Sequence, residues 1–213
     1  MTIDTYCGGF CETNGYLVQT DEGSFVIDAP LGMWAYCLEK NVKPTGLLLT
    51  HQHFDHVEDA HHFANAQVPL YAASPFQRDL LLEDWVNETI GFPLTVTPYA
   101  VDHVLELSGS PLELIGLPIE FRAVPGHSPD SFVFHVALFQ KLFGGDTLFA
   151  GGGMGRTDFP HSDSALLLRS VCEQLLTLPE DTQVLPGHGP TTTIGQEIVN
   201  NPLLARFSNK NGS

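Results

Sequence analysis

Short apolar runs separated by turns dominate the first fifty residues. Residues 15–18 and 24–28 are two such runs with a turn at 21–23 between them, which predicts a β-hairpin. Apolar positions then recur at helical spacing over residues 33–41, which predicts a short helix. The continuous apolar run 46–50 that follows is typical of a strand buried on both faces.

The pattern after this strand is less regular. Residues 57–64 and 75–85 are predicted to form helices, with a short strand at 68–71 between them. Residues 87–102 contain two prolines, one glycine and little periodicity, which predicts a long surface loop. Loops of this length in compact domains often act as lids or binding loops.

The second half of the chain is mainly β-structure followed by a helix. The predicted strands are residues 104–107, 112–114, 119–124, 132–136, 141–143 and 183–185. Residues 164–176 carry an apolar stripe, with Ser162 or Asp163 as the N-cap and Pro179 beyond the end, and are predicted to be helical. A helical tail with a break at Pro202 is predicted for residues 194–207. We expect one mixed α/β domain spanning residues 1–213.

Composition narrows the class of protein and its partners. Hydrophobic residues make up 43% of the chain and charged residues 16%, as in globular proteins. A formal net charge of −16, from 25 acidic and 9 basic residues, argues against binding to nucleic acid or to anionic membranes. The sequence has neither an apolar run of ~18 residues nor a signal-peptide pattern, and its four cysteines are too few for a disulfide framework. We therefore expect a cytoplasmic protein.

The buried strand at 46–50 ends in a dense group of metal-binding side chains. His51, His53, Asp55 and His56 lie within six consecutive residues. Imidazole nitrogen and carboxylate oxygen are ligands that suit zinc and other divalent metals, and folding alone does not require such a density of them. The stretch therefore predicts the main part of a hydrolytic metal site.

Three later strand ends each offer one more donor. His127, Asp146 and His188 follow apolar β-runs and one or two glycines, and glycine lets the backbone turn sharply beside a ligand. Five histidines and two aspartates exceed the needs of one tetrahedral ion and fit two ions that share a bridging carboxylate and hydroxide. Zinc is the first candidate, with iron or manganese as alternatives. Surface or local hydrogen-bonding roles are expected for the remaining histidines, which are His61, His62, His103, His135 and His161.

The order of these donors resembles the metallo-β-lactamase superfamily over nearly the whole chain. The resemblance implies an αββα sandwich of two mixed β-sheets flanked by helices, with the site at one edge between the sheets. It also implies that Asp28 supports the metal-binding loop from behind and that Asp146 bridges two ions. By position, the ligands of the first ion would be His51, His53 and His127, and those of the second Asp55, His56 and His188.

Within the superfamily, the runs Gly145-Asp146-Thr147-Leu148-Phe149 and Gly155-Arg156-Thr157-Asp158-Phe159-Pro160 resemble the type II glyoxalases, in particular the short single-domain bacterial kind. This resemblance implies hydrolysis of a small-molecule thioester such as S-lactoylglutathione, with a metal-bridging hydroxide as nucleophile and Asp55 orienting it. Arg156 falls where two-domain glyoxalases place a basic residue against glutathione. It is therefore the candidate contact for a substrate carboxylate or phosphate, and an internal salt bridge to Asp158 is the alternative.

Other functions stay open. A similar Gly-Arg-Thr-Asp-Phe run occurs in persulfide dioxygenases, which use a single iron held by two histidines and an aspartate. A lactonase or phosphodiesterase on the same scaffold, or a metal-binding protein without activity, is also compatible with the pattern, and the oligomeric state stays undetermined.

The chain also departs from the type II glyoxalases in three respects. It is expected to lack the C-terminal helical domain of the longer enzymes. Gln52 stands where a small residue is usual, and is expected to narrow or polarise the pocket. Asp130 stands where glycine is usual.

Overall fold

The N-terminal half forms a six-stranded mixed sheet. In this computed structural model, which describes residues 1–91, 93–107, 110–202 and 204, the strands follow one another across the sheet in chain order. They are β1 (Thr2–Gly8), β2 (Thr13–Thr20), β3 (Gly23–Ile27), β4 (Leu47–Leu48), β5 (Leu70–Ala72) and β6 (His103–Val104). The first three strands are antiparallel, and β3 to β6 run parallel. The predicted hairpin is therefore confirmed as β2 and β3, and β1 is an additional strand.

The C-terminal half forms a second six-stranded mixed sheet. Its strands are β7 (Leu112–Leu114), β8 (Leu117–Ala123), β9 (Phe132–Val136), β10 (Lys141–Gly145), β13 (Gln183–Pro186) and β14 (Thr192–Thr193), and the two-stranded hairpin β11 (Leu148–Phe149) and β12 (Gly153–Met154) follows β10 in the chain. The order across the sheet is β14-β13-β10-β9-β8-β7. Only β10 and β13 pair in parallel among the described strands of this sheet, so their carboxyl ends lie side by side.

Six α-helices cover the outer faces of the two sheets in the described part of the chain. They are α1 (Met33–Glu39), α2 (Phe54–Val57), α3 (Ala60–Asn65), α4 (Glu83–Thr89), α5 (Ser164–Gln174) and α6 (Ile194–Asn200). The side chain of Asp163 accepts hydrogen bonds from the first turn of α5, so Asp163 is the N-cap. The α6 helix ends before Pro202, and the predicted helical tail beyond residue 204 lies outside the described residues.

Alternation of side chains along the strands produces four layers. Leu17, Val26 and Leu47 pack under α1 to α4, whereas their neighbours Val18, Ile27 and Leu48 point into the core between the sheets. In the second sheet, the inner core receives residues such as Phe134 and Phe143. Its outer side chains pack against α5 and α6; they include Val133, Leu142 and Val184. The predicted αββα sandwich is therefore confirmed, because each central strand buries both faces.

Two predicted helices are interrupted. The region 57–64 is divided between α2 and α3, because the carbonyl of His56 and the N–H of Asp59 both bond to the backbone of Ala29. The single helix predicted for 75–85 is wrong. A 3-10 turn at Arg78–Leu81 is followed by Leu82 in the left-handed region, with φ of 61°, and α4 begins only afterwards.

The predicted surface loop 87–102 begins with the end of α4, and most of its described residues are exposed, but three apolar side chains anchor it. Leu94, Val96 and Tyr99 lie in the core under α4, and the Asn87 side chain bonds to both backbone groups of Leu94. The Glu83 carboxylate accepts from the Val96 N–H. These tertiary contacts anchor the described part of the loop to α4. None of the described helices is long and apolar enough to cross a membrane.

Candidate metal centre

Strand ends from both sheets bring the predicted donors to one edge of the sandwich. The loop after β4 carries His51 and His53, and His127, Asp146 and His188 follow β8, β10 and β13. Donor atoms lie within 4.8 Å of one another in three overlapping groups, which are His51–His53–His127, His51–His56–Asp146 and Asp55–His56–His188. All seven residues that the sequence nominates as ligands are therefore brought together.

Distances within the cluster match those between ligands of a shared ion. Around a tetrahedral ion with bonds of about 2.0–2.1 Å, neighbouring ligand atoms are roughly 3.3 Å apart. His188 Nε2 lies 3.3 Å from Asp55 Oδ2 and 3.3 Å from Asp146 Oδ2. His56 Nε2 is 3.3 Å from Asp146 Oδ1, and His127 Nε2 is 3.5 Å from Asp146 Oδ2. Oδ2 of Asp146 thus faces His127 and His188, one from each predicted ligand set, while Oδ1 faces His56, so this carboxylate lies between the two sets of donors.

Several donor atoms of the cluster are buried without a hydrogen bond. Among the described residues this holds for His51 Nε2, His56 Nε2, His127 Nε2 and Asp146 Oδ1. A buried polar atom left unpaired costs about 1–3 kcal/mol, so native proteins rarely concentrate such atoms without a ligand. The donor set therefore fits divalent metal ions.

The opposite ring nitrogen of four histidines has a partner that aims the ring. Nδ1 of His127 lies 2.7 Å from the Arg156 carbonyl, and Nδ1 of His188 lies 3.1 Å from the Cys11 carbonyl. Because a carbonyl can only accept, each of these Nδ1 atoms donates and each Nε2 is left for a cation. His51 Nδ1 is 3.1 Å from the Thr50 hydroxyl. The fourth ring, that of His56, is held by Asp28.

Asp28 supports the loop from behind, as the resemblance implied. Its Oδ2 lies 2.8 Å from His56 Nδ1, and it accepts from the Thr50 hydroxyl at 2.8 Å. The Thr50 N–H donates to Oδ1 at 2.7 Å. One buried carboxylate therefore holds both the start of the metal-binding loop and the ring of His56.

The ionisation of the cluster is strongly perturbed. Burial lowers the pKa of His51 and His53 well below the ordinary histidine value, with further lowering from neighbouring histidines. Burial alone would also lower the pKa of His56, but three carboxylates outweigh it and raise that pKa well above its usual value. Burial is likewise outweighed at His188, where Asp146 and Asp55 raise the pKa to about 10. The cluster therefore attracts positive charge.

The carboxylates respond in the opposite direction. Burial tends to raise the pKa of Asp55 and Asp146, but the neighbouring His56 and His188 imidazoles reverse this effect. The pKa of Asp55 falls to about 2 and that of Asp146 falls well below its usual value. Both side chains are consequently anionic at neutral pH, which is the form that binds metal.

A glycine is sterically required at one strand end. A Cβ atom at Gly187 would overlap Asp146 Oδ1 and His56 Cε1. The turn that delivers His188 therefore passes directly against two other donors, which explains its Pro-Gly-His sequence.

A cavity of about 320 Å³ opens above the cluster. Its floor contains His53, Asp55, His127, Asp146 and His188. Aromatic and aliphatic side chains form its walls, among them Phe10, Trp85, Ile90, Phe149 and Phe159. The metal-binding groups are thus open to a small ligand on one side.

Arg156 lies at the cavity wall, where the sequence placed it, but it is already paired. Its Nε and Nη2 atoms donate to the two oxygens of Asp158 at 3.0 and 2.7 Å. The salt bridge to Asp158, which the sequence predicts as the alternative to a substrate contact, is therefore present.

Gln52 does not line the cavity, so the expectation that it narrows or polarises the pocket is wrong. Its side chain is fully buried. Nε2 donates to the Ser74 hydroxyl at 2.9 Å and to the Pro75 carbonyl at 3.1 Å, and Oε1 accepts from the Tyr99 hydroxyl at 3.1 Å. Successive side chains of the extended loop point in opposite directions, so Gln52 faces away from His51 and His53.

Two supporting residues were not predicted. The Thr13 hydroxyl donates to Asp55 Oδ2 at 2.6 Å, and the Asn14 N–H donates to the Gly187 carbonyl at 2.7 Å. Both lie at the start of β2, far from the ligands in sequence. Nothing in their local pattern identified them, because only the meeting of the two sheet edges brings them to the cluster.

Comparison with known proteins agrees with this geometry. A family model described as Metallo-beta-lactamase superfamily matches residues 8–188. The chain is 35% identical to the probable metallo-hydrolase YqgX of Bacillus subtilis over 208 residues, which cover 94% of this chain and 96% of the relative. It is 37% identical to the hydroxyacylglutathione hydrolase GloC of Haemophilus influenzae over 174 residues, or 78% of each chain.

Solved structures show the same relationship. The BLEG-1 B3 metallo-beta-lactamase superposes with a TM-score of 0.82 at 30% identity, covering 95% of this chain and 99% of the other. TTHA1623 in a di-iron-bound form superposes with a TM-score of 0.76 at 34% identity, covering 96% of this chain and 100% of the other. ETHE1 from Myxococcus xanthus superposes with a TM-score of 0.75, covering 100% of this chain and 92% of the other. At 22% identity, this similarity supports a shared fold only. The chain belongs to the metallo-β-lactamase superfamily.

Proposed function

We propose that this protein is a binuclear metal-dependent hydrolase that cleaves small-molecule thioesters, the class of ester to which S-lactoylglutathione belongs. The observation that carries the proposal is the convergence of seven donors, in adjoining groups linked by Asp146, at the floor of an open cavity. A closed structural site needs only four ligands and no such opening.

The grouping of donors supports the ligand assignment. His51, His53 and His127 would hold one ion. The second ion would be held by Asp55, His56 and His188, and Asp146 would lie between the two ions. Zinc, iron and manganese all accept these ligands, so metal supply decides among them.

Residues around the metal-binding groups would each have a separate role in hydrolysis. Divalent ions, when bound, lower the pKa of water and polarise a substrate carbonyl. Asp55 is held by Thr13 and faces the cavity floor, where its carboxylate orients the attacking water. Phe159 packs 5.5 Å from the His53 ring and 5.6 Å from the His127 ring, centroid to centroid, and shields this side of the cluster from bulk solvent. A thiolate leaves readily, so no strong general acid is required.

Thioester chemistry is favoured by similarity to GloC, which is named as a hydroxyacylglutathione hydrolase. The main rival is a persulfide dioxygenase with one iron held by two histidines and an aspartate. Such a site would leave four of the seven donors unused. Lactone and phosphodiester hydrolysis at the same centre are further alternatives, and assays on a lactone and a phosphodiester distinguish them from thioester hydrolysis.

The decisive experiment is metal quantification of protein purified without added metal, combined with assays on S-lactoylglutathione, a lactone, a phosphodiester and a β-lactam. We expect two metals per chain and thioester turnover that His53→Ala abolishes. One iron per chain with oxygen uptake on a persulfide would overturn the proposal. Full activity of His53→Ala would refute the assigned site.

A further inference from the structure

The cavity walls are aromatic on both sides of the metal-binding groups. The Trp85 and Phe159 rings meet edge to face, with centroids 4.9 Å apart and an interplanar angle of 86°. Phe159 also contacts His53 and His127, whereas Phe149 lies 6.1 Å from the His188 ring. An occupant of the cavity that reaches the floor must therefore pass between aromatic faces.

The apolar surface continues to the mouth of the cavity. Phe10 is 62% exposed and Ile90 is 50% exposed, and both line the cavity. Large apolar side chains exposed next to a binding site often mark the surface that a ligand covers. Leu82 and Val86, which are buried, extend the same surface inward from the α4 side.

Positive charge in the walls is already matched. Among the described lining residues, Arg156 is the one Lys or Arg, and its Nε and Nη2 atoms donate to the Asp158 carboxylate. Its Cζ atom lies 4.8 Å from the Phe159 ring centroid and 5.8 Å from that of Trp85. An anionic thiol carrier would share this cation with the Asp158 carboxylate, in a protein whose formal charge is −16.

We infer that the preferred substrate is a neutral thioester that carries an aromatic or branched apolar group, rather than a thioester of a carboxylate-bearing or phosphate-bearing thiol. This inference rests on the proposed function. The apolar group occupies the space between Trp85, Phe149 and Phe159, and the thioester carbonyl reaches the floor. One water is consumed: its oxygen bonds to the carbonyl carbon, the carbon–sulfur bond breaks, and the products are a carboxylate, a thiol and one proton.

Three thioesters with one acyl group test the inference. The lactoyl thioesters of benzyl mercaptan, N-acetylcysteamine and glutathione differ in their thiols, which are neutral and aromatic, neutral and polar, and anionic. We expect kcat/KM of the benzyl thioester to exceed both others by about tenfold or more, the factor that one good aromatic contact supplies. Equal or better turnover of the glutathione thioester overturns the inference, and so does parity between the benzyl and N-acetylcysteamine thioesters.

The same assay separates this inference from the proposed function. Turnover with the glutathione thioester as the best substrate keeps the hydrolase and rejects the apolar preference. No turnover of any thioester by metal-replete protein rejects both.

Trp85→Ala provides a test within the protein. It should raise KM for the benzyl thioester about tenfold more than KM for the N-acetylcysteamine thioester, since only the former contacts the indole wall through an aromatic ring. Leu138→Ala, at an exposed apolar residue outside the cavity lining, is the matched control and should change neither value. Binding of the unreactive thioether dibenzyl sulfide, measured by calorimetry, should weaken in Trp85→Ala and not in Leu138→Ala. Unchanged binding in Trp85→Ala would contradict the inference independently of catalysis.

Discussion

The backbone N–H of Gln52 donates to Oδ2 of Asp130 over 3.1 Å. These are the two positions at which the sequence departs from the type II glyoxalases it resembles, and they form a single buried contact. Asp130 also accepts from the Ser128 hydroxyl. The carboxylate therefore fastens the loop between His51 and His53 to the loop that carries His127, where a glycine would offer no side chain.

The Gln52 side chain extends this connection to the cavity wall. Through Ser74, Pro75 and Tyr99 it holds the segments that flank α4, and α4 carries Trp85. The metal-binding loop and the apolar wall are thus joined by one amide group.

Gln52→Ala should loosen the wall without removing a metal ligand. Truncation leaves the buried Tyr99 hydroxyl and the Ser74–Pro75 segment without their partner, which costs about 1–3 kcal/mol for an unsatisfied buried group. We expect a lower thermal midpoint and a several-fold higher KM, while metal content stays at the wild-type level. Loss of metal with unchanged KM of the remaining active fraction would show that Gln52 acts on the ligands instead.

Asp130→Asn should reveal the cost of a buried charge. Burial raises the pKa of Asp130 above the ordinary value of 3.8, with hydrogen bonds to Ser128 and Gln52 opposing this effect. Because the folded pKa is raised, this group's contribution to stability is fully present below pH 3.8 and is lost as pH rises through the folded pKa.

The neutral amide that Asp130→Asn introduces can still accept from Gln52 and bond to Ser128. The stability of the variant relative to the wild type should therefore increase between low and neutral pH. Chemical denaturation of both proteins at several pH values measures this difference. A difference that moves in the opposite direction would mean that ionised Asp130 is stabilised by its donors more than burial destabilises it.

Asp28→Ala should weaken one metal position more than the other. It frees the ring of His56, and losing such an orienting partner typically lowers metal affinity about 10–100-fold. We expect competition with a chelator to remove one ion at lower chelator concentration while the ion assigned to His53 and His127 is retained longer. Asp158→Asn, which leaves the histidines untouched, is the control and should lose no metal. Equal weakening of both ions would show that Asp28 supports the loop as a whole.

Asp158→Asn should shift substrate preference towards anions. The change removes one negative charge at the cavity wall and releases the Arg156 guanidinium. We expect kcat/KM for S-lactoylglutathione to rise a few-fold and that of a neutral thioester to stay constant. The gain should disappear in the double variant with Arg156→Ala. A gain that survives in the double variant would indicate that Asp158 acts by charge alone.

Much of the architecture was predictable because its signals are local. The apolar runs ending at Thr50, Val124 and Leu185 each indicate a buried strand, and the donor after each run lies at the strand's carboxyl end. The central place of Asp146 among the donors was likewise implied by its position in the motif order.

The errors have a common physical origin in tertiary contacts. Leu82 adopts a left-handed conformation between a 3-10 turn and α4, and the carbonyl of His56 bonds to Ala29 across the fold. Helical periodicity in the sequence contains no information about either contact. The sequence therefore predicted one continuous helix in each region, where the structure has an interruption. The segment 87–102 is largely exposed as predicted, but its apolar residues lack a period, so the sequence did not indicate that the core under α4 buries three of them.

The sequence by itself determined which side chains can serve as ligands and which strands deliver them, because donor chemistry and strand periodicity are properties of neighbouring residues. Only the tertiary structure decided that the seven donors converge in three overlapping groups and that Thr13 holds Asp55. It also decided that the Gln52 side chain bonds to the segments that flank α4 rather than lining the cavity, and that Arg156 is paired with Asp158. Each of these relations depends on how two sheets and their loops meet in space, which separation along the chain does not encode.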